Sequence, residues 1–261
     1  MTFISDFKGA AFSLFGLNGG NTSNDTSLFT MVGTKFRTAD YREFVLIQNG
    51  GTALPSGVLV QGPVSIGANH TGLTVATAAI GSKTLTVTLG ATAVTANQYA
   101  GGLIVISAGT GIGQTLKIAS HPAAALSTAV VLTLEDALSV ATAVADSKGS
   151  LTLNPYGSAN GVDVTSSGCV ISPTTATGPT IGVTISPIPA STATVPTYGF
   201  IQCKGAVACL NGAGTAIGLD VMPSSATAGA VITYAVATRN RVGTATVAGE
   251  NTKAQLINIQ L

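Results

Sequence analysis

The stretch Tyr198–Thr238, YGFIQCKGAVACLNGAGTAIGLDVMPSSATAGAVITYAVAT, decides the fold class. Short apolar runs alternate in it with Gly-rich breaks. Tyr198–Lys204 is one run and Ala206–Leu210 the next, on adjacent strands of one hairpin. Asn211–Gly214 (NGAG) reads as a tight reversal into Ala216–Met222, and Pro223–Gly229 turns the chain into Ala230–Thr238. Asn-Gly between apolar runs is a strong hairpin signal, because both central turn positions require positive φ. The expected local structure is a β-meander.

Outward from this stretch the same style repeats. Lys83–Leu89 (KTLTVTL) alternates Thr with aliphatic residues, the period of a half-buried strand. Leu103–Ser107 (LIVIS) is continuously apolar and predicts a more deeply buried strand. Gly109–Gly113 (GTGIG) turns the chain into Gln114–Ile118, and Ala129–Leu134 (AVVLTL) and Lys148–Leu153 add further strands. Leu138–Ala145 (LSVATAVA) fits a strand or a short helix. Short strands at about ten-residue spacing predict a compact barrel or sandwich. Val58–Gln61, Ile181–Pro187, Val242–Val247 and Ala254–Leu261 read as strands too, the last paired into a sheet at the C-terminus. The fold class is therefore all-β: two small β-barrel or sandwich domains. Residues 51–72 with 154–261 form one, residues 73–153 form the second as a candidate insertion, and residues 1–50 hold an N-terminal arm and the first strands.

Composition narrows the function. Of 261 residues, 46% are apolar and 8% charged, about a third of the ~25% usual in soluble domains. A 25.7 kDa monomer exposes roughly 10,000 Å², so its 21 charged side chains would be spread at about one per 500 Å². That is sparse for a free monomer with net charge +1. Thr, Ser, Asn and Gln solvating the surface, together with surface covered by partner subunits, would account for it. No Lys/Arg-rich run exists to displace counterions from nucleic acid. No 18-residue apolar stretch is free of Gly, Thr and polar breaks, which argues against a membrane span. Asp6 and Lys8 interrupt the apolar N-terminus where a secretory segment should be continuous. The absence of Trp and a 5% aromatic content argue against an outer-membrane barrel with its aromatic girdles. The three cysteines, Cys169, Cys203 and Cys209, read as buried thiols made in a reducing compartment. A cross-strand Cys203–Cys209 disulfide is the other reading.

The N-terminal region differs from the rest. Phe3, Phe7, Phe12, Phe15, Phe29, Phe36 and Phe44 are seven of the eight Phe residues. Phe3, Ile4, Phe7, Ala10, Ala11, Leu14 and Phe15 share an arc of roughly 140° on a helical wheel. Gly16–Ser27 (GLNGGNTSNDTS) then reads as a linker. Two readings stand: an element packed on its own domain, or a docking arm whose Phe3, Phe7, Phe12 and Phe15 fill pockets on another subunit. The charges that follow, Lys35, Arg37, Asp40, Arg42 and Glu43, mark a solvated or interface-rim strand pair.

Catalytic signals are weak. His70 and His121, the only histidines, both read as solvent-facing loop residues without metal-ligand neighbours. GTGIG lacks G-x-G-x-x-G spacing and precedes a strand, so it offers no helix N-terminus for phosphate. Glu135 and Asp136 are adjacent and would point to opposite faces of a strand. Asp146, Asp163 and Asp220 carry no mark of a facing carboxylate pair. No catalytic residue, metal or cofactor is expected.

Three segments carry a resemblance: Thr84–Ala124 (TLTVTLGATAVTANQYAGGLIVISAGTGIGQTLKIASHPAA), Asn154-Pro155-Tyr156, and Tyr198–Gly205 running on to Ala228-Gly229-Ala230. Over roughly residues 55–261 the chain resembles a group of virion structural proteins of tailed bacteriophages. The resemblance is one of order and flavour, with no catalytic fingerprint in it. It implies a capsid decoration (cement) protein: all-β, homotrimeric, made in the host cytoplasm and bound to the major capsid protein on the outside of the head. The competing expectation is a head or tail fibre, or an adhesin that binds a host-surface glycan.

Overall fold

The computed structural model describes residues 32–67, 71–157, 167–192, 195–235 and 239–261. Among them the chain forms sixteen strands and no helix. The first three are β1 (Lys35–Arg37), β2 (Glu43–Gln48) and β3 (Leu59–Gln61). Then come β4 (Leu73–Val75), β5 (Thr84–Thr88), β6 (Leu103–Ala108), β7 (Thr115–Ser120), β8 (Ala129–Leu134) and β9 (Lys148–Thr152). The rest are β10 (Val170–Ile171), β11 (Thr180–Thr184), β12 (Tyr198–Leu210), β13 (Asp220–Pro223), β14 (Val231–Thr233), β15 (Gly243–Ala245) and β16 (Ala254–Gln260).

Strands β4 to β9 close into a barrel in the order β4-β5-β8-β7-β6-β9, every neighbour antiparallel. An even number of antiparallel strands closes without a free edge, so every ladder group has a partner strand on both sides. The period-2 pattern sorts the faces: Leu85, Val87, Ile104, Ile106, Leu116, Ile118, Val130, Leu132 and Leu134 fill the interior. Thr84, Thr88, Lys117 and Thr133 face out. LIVIS is not the more deeply buried strand that its composition predicts. Ile104 and Ile106 point inward, whereas Leu103 is exposed and Val105 half-buried. A closed barrel has one interior, so a continuous apolar run on it must leave alternate residues outside. Leu138–Ala145 is neither strand nor helix; it is an irregular connection held to β4's end by the Ala78–Thr142 bridge.

The other ten strands form one sheet, in the order β10-β3-β11-β12-β16-β15-β13-β14, with β2 also on β12 and β1 on β2. β3 and β10 pair antiparallel (Val60 opposite Ile171), so the barrel strands lie in the chain between two hydrogen-bonded neighbours of the larger sheet. The 13-residue β12 is its spine. Its first half lies between β2 (Ile201 opposite Val45) and β11 (Ile201 opposite Thr184); its second half pairs with β16 (Val207 opposite Ile257). The first half is buried on both faces. Ile201 packs with Val45, Ile47 and Val60 on one side, and Tyr198 and Phe200 pack with Phe44 and Leu46 on the other. Phe36 meets Phe200 edge-on at 5.1 Å.

The expected meander holds only in part. Val221–Pro223 and Val231–Thr233 do pair across the Pro223–Gly229 turn. Gly205, however, does not break the chain into two strands. The bulge lies just before it, at Cys203, where the register with β2 shifts between Gln202 and Lys204; Gly205 stays in register with Ile259 of β16 at φ +91°, and a Cβ there would lie 2.8 Å from Arg42 Cγ. Cys203 and Cys209 thus share one strand instead of facing each other. Six residues at about 3.3 Å each separate them by roughly 20 Å, far beyond disulfide reach. All three cysteines are buried free thiols, and burial pushes the Cys209 thiol up to about 12.

The sheet curls until its ends meet. The Leu59 amide donates to Gly229 O at 2.7 Å, and the Gly229 amide donates to Ser172 O at 2.8 Å, which joins β3 and β10 to the start of β14. Inside the curl, Leu59, Val183, Val207, Cys209, Val221, Val231, Val242, Ile257 and Ile259 form one core. The suggested arm residues Phe3, Phe7, Phe12 and Phe15, with the linker Gly16–Ser27, lie outside the described residues.

Candidate functional site: the loop end of the barrel

Strand direction fixes which loops share an end of the barrel. The chain comes in before Leu73 and leaves after Thr152, and these two points lie at the same end because β4 and β9 are antiparallel neighbours (Leu73 opposite Gly149). Loops 89–102 and 121–128 are at that end too. Loops 76–83, 109–114 and 135–147 gather at the opposite end, away from the connections to the rest of the chain.

The three loops at the free end are tied to one another. Gly81 N donates to Leu138 O and Leu138 N to Ser82 O, while Ala78 and Thr142 exchange both backbone bonds. Gln114 joins its loop to the third: its Oε1 accepts from Ser139 N (2.9 Å), Ser139 Oγ (3.1 Å) and Val140 N (3.0 Å), and its Nε2 donates to Val140 O (2.9 Å). Asp146 accepts from Thr110 N (3.0 Å) and Thr110 Oγ1 (2.9 Å), and Ser147 Oγ donates to Thr110 O (2.7 Å). Leu138 closes the interior beneath. The end is therefore a set platform, with its polar side chains spent on holding loops together.

Beside the exposed Thr77, Thr110, Asp136, Ser139 and Asp146, this platform presents four aliphatic side chains. Ile80, Ile112, Val140 and Val144 project from it at 67%, 66%, 47% and 57% exposure. The same end has charge at its rim, where Lys117 pairs with Glu135 at 2.8 Å and Lys83 donates to Glu135 O. Aliphatic tips on fixed loops with a charged rim have the composition of an interface core and its border. Because hydrogen bonds already set the loops, little ordering entropy would oppose binding there. Sequence reading missed these residues, since an isolated Ile inside a Gly-rich turn has no periodicity. The available signal was that an aliphatic residue stands where turn chemistry would otherwise place a polar one.

The GTGIG segment forms the β6–β7 turn, and its glycines have a structural reason. Gly109 has φ +75°, and a Cβ there would lie 2.2 Å from Asp146 O and 2.4 Å from Asp146 C. Left-handed backbone and a contact with rigid main chain act together, so Gly109→Ala should cost about 2–4 kcal/mol. Denaturant unfolding of the full chain, followed by backbone amide signals of barrel residues, measures this. A loss under about 0.5 kcal/mol would mean that the Thr110–Asp146 clasp yields freely.

The residues weighed for chemistry are dispersed. His121 is buried, contrary to the loop-surface expectation. Its Nε2 accepts from Tyr99 N at 2.9 Å, so the proton sits on Nδ1, which donates to Pro122 O at 2.8 Å. Burial lowers its pKa and keeps the ring neutral. The imidazole serves as a cap that satisfies the Tyr99 amide, while Asn97 binds the His121 backbone. A polar residue before Pro in a loop reads as exposed, but the long 89–102 loop folds over the barrel end and needs an internal acceptor. Glu135 pairs with Lys117, Asp146 holds the Thr110 turn, and Asp220 accepts from Thr244 Oγ1 and pairs with Arg241 at 3.1 Å. His70 and Asp163 lie outside the described residues. Among the described residues no group of three His, Cys, Asp or Glu side chains is placed to hold a metal ion. No protein-family model, no curated protein sequence and no solved structure matches this chain.

Proposed function

We propose that the protein is a virion structural component, a capsid decoration protein. In this reading it sits outside a phage head, contacts the major capsid protein and stabilises the junctions between capsid subunits. It would do so as a homotrimer. The observation that carries the reading is the loop end of the barrel, a hydrogen-bonded platform with four exposed aliphatic side chains at the end opposite the chain's own connections. The sparse surface charge and the resemblance over residues 55–261 support it as well.

The mechanism is mechanical. Each contact is modest, but linked contacts on one particle raise the effective concentration of the next, so many weak sites hold a shell under internal pressure. A glycan-binding fibre has less support. Such sites use exposed aromatic platforms, and the strongly exposed aromatics among the described residues are Tyr41 and Tyr234 alone. Tyr99, Tyr198 and Phe200 are all interior. The copy number of the chain in purified particles tests the proposal.

A further inference from the structure

The other end of the barrel, where the chain enters and leaves, holds a buried titratable group. His121 follows β7 and is buried at 4% exposure. The 89–102 loop folds against it and is held there by three hydrogen bonds. The Asn97 amide donates to His121 O, the His121 amide donates to Asn97 Oδ1, and the Tyr99 amide donates to Nε2 of the ring, each at 2.9 Å. The Tyr99 ring lies 5.9 Å from the imidazole and belongs to the barrel core. Two of the three bonds are indifferent to the protonation of His121. The third depends on it.

A neutral imidazole has one donor and one acceptor, and both are used: Nδ1 donates to Pro122 O at 2.8 Å and Nε2 accepts. Protonation makes Nε2 a second donor, aimed at the Tyr99 N–H. The bond becomes a repulsion, and a charge appears in a buried place. Nothing at this end offsets that charge. Residues 62–67, 89–102, 121–128 and 153–157, which make up this end, contain no Asp, Glu, Lys or Arg. The charged residues of the barrel are Lys83, Lys117, Glu135, Asp136, Asp146 and Lys148. All lie in or close to the loops of the free end, with Lys117 paired to Glu135. Tyr99 is the titratable side chain that faces the ring, and burial raises its pKa, so it supplies no negative charge.

We infer that His121 is an acid-sensitive latch: its protonation releases residues 97–100 from the barrel end and uncovers Tyr99, while the barrel strands stay paired. Burial holds the ring's pKa in the closed form below the ordinary value of 6.5, and the released ring regains that value. The released form therefore takes up the proton first. The latch is fully engaged above about pH 6.5 and weakens as pH falls below it, by up to about tenfold per pH unit for one proton. The device operates whether or not the protein belongs to a virion.

The test is amide hydrogen exchange of the full-length protein between about pH 7 and pH 4.5, expressed as protection factors so that the intrinsic pH dependence of exchange cancels. Protection at Tyr99 should fall at least tenfold across this range, while Leu85 and Leu132 keep theirs within about twofold. His121→Gln retains an acceptor for the Tyr99 amide but does not ionise, so Tyr99 protection should stay constant in it. His70→Gln, the control for the other histidine, should behave as the natural chain does. Constant protection at Tyr99 in the natural chain overturns the latch. So does an equal fall at Leu85 and Leu132, which is global acid unfolding, or a transition that survives in His121→Gln or vanishes in His70→Gln. Should His121→Gln misfold, the imidazole signals of the natural chain decide. The Tyr99 amide shift must follow the ring's own titration with a midpoint below 6.5, and a shift that does not follow it overturns the latch.

Discussion

Placing a carboxylate at Ile106 should unfold the barrel and leave the curled sheet standing. Ile106 is fully buried on β6, opposite Gly149 of β9, inside the ring of apolar side chains. Replacing it by Asp forfeits about 1.5–3 kcal/mol of apolar burial. It also leaves a buried carboxylate without a partner, which costs several kcal/mol more, or raises its pKa until it is neutral at a similar expense. The barrel spans about 80 residues, for which roughly 4–12 kcal/mol of stability is ordinary. The substitution therefore consumes most or all of it. Hydrogen exchange reads the outcome element by element. Amides of Leu85, Leu116 and Leu132 should exchange freely in Ile106→Asp, while those of Val207 and Ile257 stay protected. Simultaneous loss in both would show the two sheets to be one cooperative unit. Val131→Asp, on the outward face of β8, is the control and should shift stability by no more than about 0.5 kcal/mol.

The second large effect concerns attachment. If the loop end of the barrel seats on a capsid, Ile80→Ser with Ile112→Ser and Val144→Ser removes three aliphatic contacts. At about 1 kcal/mol or more each, affinity should fall by at least ~100-fold. Since all three side chains project into solvent, the free protein should keep its melting temperature. Deleting residues 1–16 tests the other proposed grip, Phe3, Phe7, Phe12 and Phe15. That deletion should abolish attachment with the β-structure intact. Co-sedimentation of each variant with particles lacking the protein separates the two. Normal attachment of the triple variant would remove the loop end from the interface; normal attachment of the truncated chain would end the docking-arm reading.

The barrel was legible in the sequence because its residues obey one rule at a time. In KTLTVTL and AVVLTL each second residue is an interior aliphatic, and glycines such as Gly109 stand where the chain must turn. The curled sheet was less legible because its pairings are long-range. Nothing near Val207 indicates that Ile257 is its partner. Gly205 misled for a physical reason: a glycine at positive φ can sit inside a continuous strand, here just after the bulge at Cys203, as well as in a turn, and only the partner strand distinguishes them. The misplaced Cys203–Cys209 hairpin followed from that one glycine. The platform of Ile80, Ile112, Val140 and Val144 was invisible for a related reason, since its residues come from three loops that only barrel closure brings together.

We propose that this chain coats a shell. This is tested most directly by counting the chain against the major capsid protein in purified particles by quantitative mass spectrometry. A ratio near one, or a simple fraction of one, is the predicted result. A few copies per particle would make the chain a fibre or vertex component, and its absence from particles would contradict the virion assignment outright.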